Sequence, residues 1–305
     1  VERGLTVVGL GEALYDVYAD RQVLGGAPLN VAVHAHQMGA GLGGQGVPAS
    51  RVGPDELGRR LIDELRARAI PTSGLQLDPE RPTGTVLVTL EGKEPTYEIV
   101  ADRAWDRLEF TAEWKRLAGN CGAVCFGSLG QRSPQSRATI RQFLQQAPRA
   151  IRMFDVNLRQ EFFTADLIAE SCALATVVKL NAHELPQVCR LLAVCSGTDT
   201  PLRQASILRE QFRLDAVVLT RGVAGTLAFT AAGIVEGEPA HFLPSPDADS
   251  VGAGDACAAG ILMGMLLDWP DERTLTLANA AGAFVAAQPG ATPQLPRSIL
   301  ESVTR

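Results

Sequence analysis

Four apolar runs of strand length recur from residue 122 onward, and their spacing constrains the fold more than any other feature of the chain. Residues 124–127, 151–155, 176–180 and 216–220 each hold a short block of apolar, often β-branched residues, and a stretch of helical spacing separates each from the next. Strands that are apolar on both faces must be covered on both faces. Strands that alternate with helices pair in parallel, because the crossover helix returns the chain to the same end of the sheet. The reading is an α/β fold, a three-layer α/β/α domain with a mostly parallel central sheet. Ligands in such a sheet sit at the carboxyl ends of the strands. Polar strings stand at or directly after the ends of three runs: Asp155-Val156-Asn157-Leu158-Arg159, Lys179-Leu180-Asn181 and Thr220-Arg221-Gly222.

The N-terminal third has another rhythm. Leu5-Thr6-Val7-Val8-Gly9-Leu10 reads as a buried strand, and the mixed residues 13–23 as a half-exposed one. Residues 30–38 suggest a helix, and the glycine-rich residues 39–46 a turn into a further strand. Leu57, Leu61, Ile62 and Leu65 give residues 54–69 helical spacing. Residues 83–90 alternate with period two, Glu91-Gly92-Lys93-Glu94 reads as a turn, and residues 96–100 return as a hairpin. A lone hairpin is marginal in water, so residues 13–25 are expected to add a third strand. The organisation expected is a single domain over 1–305. A small β lid from about 12–26 and 82–104 is inserted in its α/β core. Val86, Val88 and Leu90 share one face of that lid; turned outward, the face would invite a partner, and a homodimer through the lid is the expectation.

A net charge of −6 and a pI near 5.4 speak against a nucleic-acid or anionic-membrane partner. Six cysteines in 305 residues are too sparse for a disulfide framework. Cys121 and Cys125 have metal-like spacing but no second pair nearby, so they read as buried thiols. No secretory leader and no apolar run of membrane-spanning length is seen, which makes cytoplasmic the expected location. There is no G-x-x-x-x-G-K-[ST] and no well-placed G-x-G-x-x-G after the first strand, which removes a P-loop and weakens a dinucleotide reading.

The chemistry is concentrated in Asp249-Ser250-Val251-Gly252-Ala253-Gly254-Asp255, two carboxylates six residues apart around a Gly-Ala-Gly turn, followed by a small-residue apolar helix. A helix start offers unpaired N–H groups and a positive dipole end to an anion. A carboxylate there is placed to take a proton beside that anion; a plain Asp cap is the simpler alternative. Asn181 and Glu184, three apart, read on spacing alone as a capping arrangement, with a water-held metal as the alternative.

The same segment resembles the D-T-x-G-A-G-D signature of the PfkB (ribokinase-like) carbohydrate kinases, with Ser250 where Thr is usual. Gly25-Gly26-Ala27-Pro28-Leu29-Asn30 resembles the family's glycine-pair sugar motif, Asn181-Ala182-His183-Glu184 its N-x-x-E, and Thr220-Arg221-Gly222-Val223-Ala224-Gly225 its T-x-G-x-x-G loop. The resemblance implies an ATP-dependent sugar kinase of ribokinase-like fold. Asp255 would be the base, and Gly252, Ala253 and Gly254 the anion hole. Asp16, Gly25, Gly26 and Asn30 would bind the sugar, with Arg103 covering it and Arg159 facing a phosphate. Asn181, Thr220, Gly222, Gly225 and Asn279 would take the nucleotide, and Glu184 Mg2+ through water. Asp249, Val251 and Gly290 would hold a monovalent cation, K+ in many members. The Gly25–Asn30 run and the D-x-N-x-R string, residues 155–159, lean toward fructokinase-like members. 2-Keto-3-deoxygluconate and ribose are the other substrates to weigh. A sugar or nucleotide sensor without catalysis is the reading from another class; it would have no need of Asp255.

Overall fold

The computed structural model describes residues 4–91, 94–196 and 199–304. β1 (Thr6–Leu10), β2 (Leu14–Val17) and β3 (Gln22–Gly25) lead into α1 (Ala27–Gly39). Next come β4 (Gln45–Val52), α2 (Glu56–Ala67), β5 (Leu75–Leu77), β6 (Gly84–Glu91) and β7 (Glu94–Ile99). The alternating part runs α3 (Ala112–Asn120), β8 (Ala123–Gly127), α4 (Pro134–Gln146), β9 (Ile151–Asp155), α5 (Ala165–Leu174), β10 (Val177–Asn181), α6 (Glu184–Leu192), α7 (Pro201–Phe212) and β11 (Ala216–Thr220). β12 (Thr226–Thr230), β13 (Gly233–Gly237), α8 (Ala253–Leu266), α9 (Asp271–Ala286) and α10 (Arg297–Thr304) complete it.

The large sheet has nine strands in the order β13-β12-β11-β10-β9-β8-β1-β4-β5. Pairing is parallel from β5 to β11, and β12 and β13 add on antiparallel. Neighbouring residues of one strand feed opposite cores, as the period of two requires. Val8, Phe126, Phe154, Val178 and Val217 face one apolar layer, with residues of α3 to α7. Val7, Cys125, Met153, Val177 and Val218 face the other, with α1, α8, α9 and α10. Both faces are therefore covered, as the uninterrupted apolar runs demand.

β3, β2, β6 and β7 form a separate four-stranded sheet, β2 lying parallel to β6 and antiparallel to β3. The expected single strand from 13 to 25 is instead two strands. The chain folds back at the exposed Asp20 and Arg21, where the Tyr18 N–H bonds the Arg21 carbonyl at 2.9 Å. The expected turn at Glu91–Glu94 falls partly on Gly92 and Lys93, outside the described residues. Val86 and Val88 are 6% and 7% exposed and pack on Leu14, Ile99, Trp105 and Leu129. The apolar face of the small sheet is thus used within the chain; Leu87 and Tyr97 are exposed instead.

β4, β5 and β13 have weak sequence signals. β4 carries Pro48 and Gly46, β5 has three residues, and β13 is a largely exposed edge. α1 begins earlier than the expected residue 30, because Pro28 fits the first helical turn, where no N–H is needed. All six cysteines are unpaired, and Cys121 and Cys125 are buried as expected. Among the described residues no helix is long and apolar enough to cross a membrane.

Candidate active site

The helix of the Gly25–Asn30 motif, α1, and the Gly-Ala-Gly turn meet at the carboxyl ends of the central strands of the large sheet. Gly252 has φ 79°, and a Cβ on it would lie 2.2 Å from the Ala291 carbonyl oxygen, so only glycine fits. His34 on α1 fixes that strand of chain from beneath: burial lowers its pKa to about 4, and the neutral ring donates from Nε2 to the same carbonyl at 3.0 Å. α8 starts with no side-chain cap. The Ala253 N–H, expected in the anion hole, is turned to the Ser250 carbonyl at 3.3 Å. The N–H groups of Gly252, Gly254 and Asp255 have no partner among the described residues. These are free donors at the positive end of a long helix.

Asp255, in the first turn of α8, accepts a 2.8 Å hydrogen bond from Asn30 Nδ2, across 225 positions of chain. Burial first, then the Asp155 charge, push its carboxyl up to about 6 against the pull of Asn30, Lys179 and Arg159. Beneath the turn lies a buried ion pair. Lys179 Nζ donates to both oxygens of Asp155, at 3.0 and 2.9 Å, with the two side chains 6% and 8% exposed. A Cβ on Gly254 would stand 3.6 Å from Lys179 Nζ, so the ammonium lies directly under the turn. Asp155 keeps that ammonium charged against the cost of burial.

Asp16 on β2 lines a cavity of about 760 Å³ with Tyr18, Val23, Asp249, Val251 and Gly290. Burial raises its carboxyl to about 6, opposed by Arg159. Gly25 pairs with Leu14 across the β2–β3 hairpin, and Gly26, at φ 107°, turns the chain into α1 over the Glu12 carbonyl. Arg159 is exposed, and its charge bears on both Asp16 and Asp255. Arg103 is the residue expected to cover the sugar. It sits past the end of β7, where its N–H is bonded to Asp106 at 2.9 Å. The cation anchored at the base of the small sheet is Arg132, bound to Asp106 at 2.7 Å and to the Val100 carbonyl at 2.7 Å, and stacked over Trp105.

Thr220 ends β11 in register with Asn181 at the end of β10. Gly222 and Gly225 both have positive φ in the loop that follows. Asn279 on α9 is neither exposed nor unpartnered: its amide nitrogen donates to the Glu238 carbonyl at 2.7 Å beside Gly225. Asn181 and Glu184 form the reciprocal arrangement of a helix cap. Asn181 Oδ1 accepts from the N–H groups of His183 and Glu184, and Glu184 accepts from those of Asn181 and Leu158. All these oxygens are engaged, and among the described residues no cluster of His, Cys, Asp and Glu forms a metal cage. The pair fits a metal brought by phosphates and held through water, not one held directly. Asp249 bridges two loops, accepting from Val251 N–H at 3.0 Å and Gly290 N–H at 3.1 Å. The carbonyl oxygens of Asp249, Val251 and Gly290 accept no hydrogen bond among the described residues, which fits a cation bound by oxygens.

Sequence reasoning assigned no role to Glu12, Lys179 or Arg132, whose charges bear on one another or on Asp255. A charge inside the apolar run 176–180 was a signal for Lys179, and a carboxylate at the carboxyl end of the first strand was one for Glu12. Nothing local marks Arg132.

Known proteins resemble this chain in sequence and in fold. The fructokinase of Klebsiella pneumoniae is 30% identical over 309 residues, covering 94% of this chain and 95% of that one. The aminoimidazole riboside kinase of Salmonella typhimurium is 28% identical, covering 94% and 91%. In fold, the crystal structure of Xylella fastidiosa fructokinase with bound ATP superposes with a TM-score of 0.84 at 24% identity, over 98% of both chains. Residues 8–298 match the model of the pfkB family carbohydrate kinases. That match spans nearly the whole chain, from the first strand to the last helix, and the chain belongs to the pfkB family of carbohydrate kinases.

Proposed function

We propose that this sugar kinase transfers the γ-phosphoryl group of ATP to a primary hydroxyl of fructose. The observation that carries the reading is Asp255, held by Asn30 at the start of α8 beside unpartnered N–H groups. Asp16, Gly25, Gly26 and Asn30 hold the sugar, since a carboxylate and an amide accept from and donate to neighbouring hydroxyls. Asp255 takes the proton of the attacking hydroxyl. The N–H groups of Gly252, Gly254 and Asp255 stabilise the charge that develops on the moving phosphoryl group. Arg159 faces the same charge. Thr220, Gly222 and Gly225 approach the nucleotide, with Asn181 and Asn279 shaping its site. Mg2+ carried by ATP would neutralise phosphate charge, with Glu184 meeting its water shell. The carbonyls of Asp249, Val251 and Gly290 would take K+ or a similar ion. The small sheet, about 12–26 and 82–104, acts as a lid that excludes competing water.

Fructose is supported by the fructokinase relative and by the D-x-N-x-R string at Asp155, Asn157 and Arg159. The test is kcat/KM with ATP across a sugar panel that includes ribose, 2-keto-3-deoxygluconate and aminoimidazole riboside, with the phosphate located by NMR. Fructose should lead; a clear preference for another acceptor overturns the substrate and leaves the kinase standing. A homodimer through the lid belongs to the same proposal, but it would have to use the outer face that carries Leu87 and Tyr97. Light scattering should then give twice the 32.4 kDa chain mass, and a monomeric mass at high concentration overturns it.

A further inference from the structure

Glu12 lies just past the carboxyl end of β1, and none of the roles above uses it. Its residue is 3% exposed, and its Oε2 is buried with no hydrogen-bond partner. Gly11 and Gly130 close over it: a Cβ on Gly130 would lie 3.1 Å from that oxygen and 3.0 Å from the Gly11 Cα. Three charged groups face it: Asp255 from α8, Arg159 from the loop after β9, and Arg132 from the turn before α4. Neither arginine is its ion-pair partner. Arg132 is committed to both oxygens of Asp106 and to the Val100 carbonyl, and Arg159 is exposed to solvent. A buried carboxylate with an unmet oxygen, no cation of its own and another carboxylate nearby is relieved by taking up a proton.

We propose that Glu12 is a positioning residue for the phosphoryl transfer: protonated, it leaves Asp255 to carry the negative charge at the turn, and its ionisation shuts the reaction down on the alkaline side. This rests on the reading of Asp255 as the base. Two ionised carboxylates beside an incoming triphosphate would repel it and each other, where one suffices to take the hydroxyl proton. Burial, with help from the Asp255 charge, moves the Glu12 ionisation to about 7, against a bond from its own backbone N–H. Asp255 ionises at about 6, so the working form, Asp255 charged and Glu12 neutral, is centred between the two.

The test is the pH dependence of kcat for the parent protein and Glu12→Gln, which fixes the neutral form at nearly constant shape, with ATP and the best acceptor of the sugar panel. The parent should gain rate through about pH 6 and lose it above about pH 7. Glu12→Gln should lose the alkaline fall, so that the ratio of kcat at about pH 9 to kcat at about pH 6.5 rises by at least about fivefold. The same alkaline fall in both proteins overturns the proposal. A second readout needs no turnover. Between the ordinary value of 4.5 and about 7 the folded parent keeps a proton that the unfolded chain releases, so its stability falls relative to Glu12→Gln as pH rises through that window. The Tm of the variant should climb away from that of the parent over those pH values and hold its lead above them. A constant Tm difference also overturns the proposal. Absence of turnover with every sugar in the parent brings down the kinase reading itself, which is a different result from an alkaline limb that survives the substitution.

Discussion

Two helices begin at the carboxyl ends of the central strands, and they treat their first turns in opposite ways. At α6 the chain satisfies itself: Asn181 and Glu184 exchange hydrogen bonds with the backbone around them, and Glu184 reaches across to Leu158. At α8 it does not. No side chain caps the helix, Gly252 keeps the turn tight against Ala291, and donors are left over. In sequence the first reads as a cap and the second as a turn open to an anion. The difference teaches that a helix start offers its own N–H groups to an anion only where the sequence withholds the cap.

The sharpest way to break this contrast is Asp255→Asn. Asparagine can still face Asn30, so the fold should persist while kcat drops at least about 10²-fold, the low end for loss of a general base. Near-normal turnover would return Asp255 to the status of an ordinary first-turn carboxylate. The pH profile is next in size: with Asp255 raised to about 6, kcat should fall about tenfold per unit as pH drops below that value, because the protonated acid cannot take the hydroxyl proton. Asp255→Asn should erase this limb; its survival there would assign it to another group.

Gly252→Ala attacks the open turn itself. A side chain at φ 79°, forced against the Ala291 carbonyl, should cost about 2 kcal/mol of stability or more and lower kcat by closing the anion hole. Chemical denaturation checks the first effect; an unchanged midpoint would mean the turn is looser than the contact with Ala291 implies. The smallest effect belongs to α6. Glu184→Gln should cost about 1 kcal/mol, as for a lost cap, raise the Mg2+ concentration needed for half-maximal rate, and leave sugar KM unchanged. A magnesium titration that does not move would confine Glu184 to capping.

How much of this was legible depends on what kind of interaction holds each residue. The parallel strands were readable because burial on both faces leaves an uninterrupted apolar run, as at residues 216–220. β5 and β13 were not, since a short or exposed edge strand is defined by the partner it pairs with. Asp255 and Gly252 stood out because the turn needs those residue types in consecutive order. Arg103 drew notice because it closes the hairpin in sequence, and Arg132 did not. Arg132, about thirty positions further on, is the one that reaches the Val100 carbonyl and Trp105. Lys179 stood in plain view within an apolar run, but its partner Asp155 lies on the neighbouring strand, and only the sheet register brings them together.

The bond from Asn30 to Asp255 and the one from His34 to Ala291 join positions 225 and 257 residues apart. Contacts of such long sequence separation must meet the entropy of closing the intervening chain. Either end of the chain by itself therefore holds only half of each bond. A carboxylate oriented by Asn30 exists only once the two ends of the chain have been united.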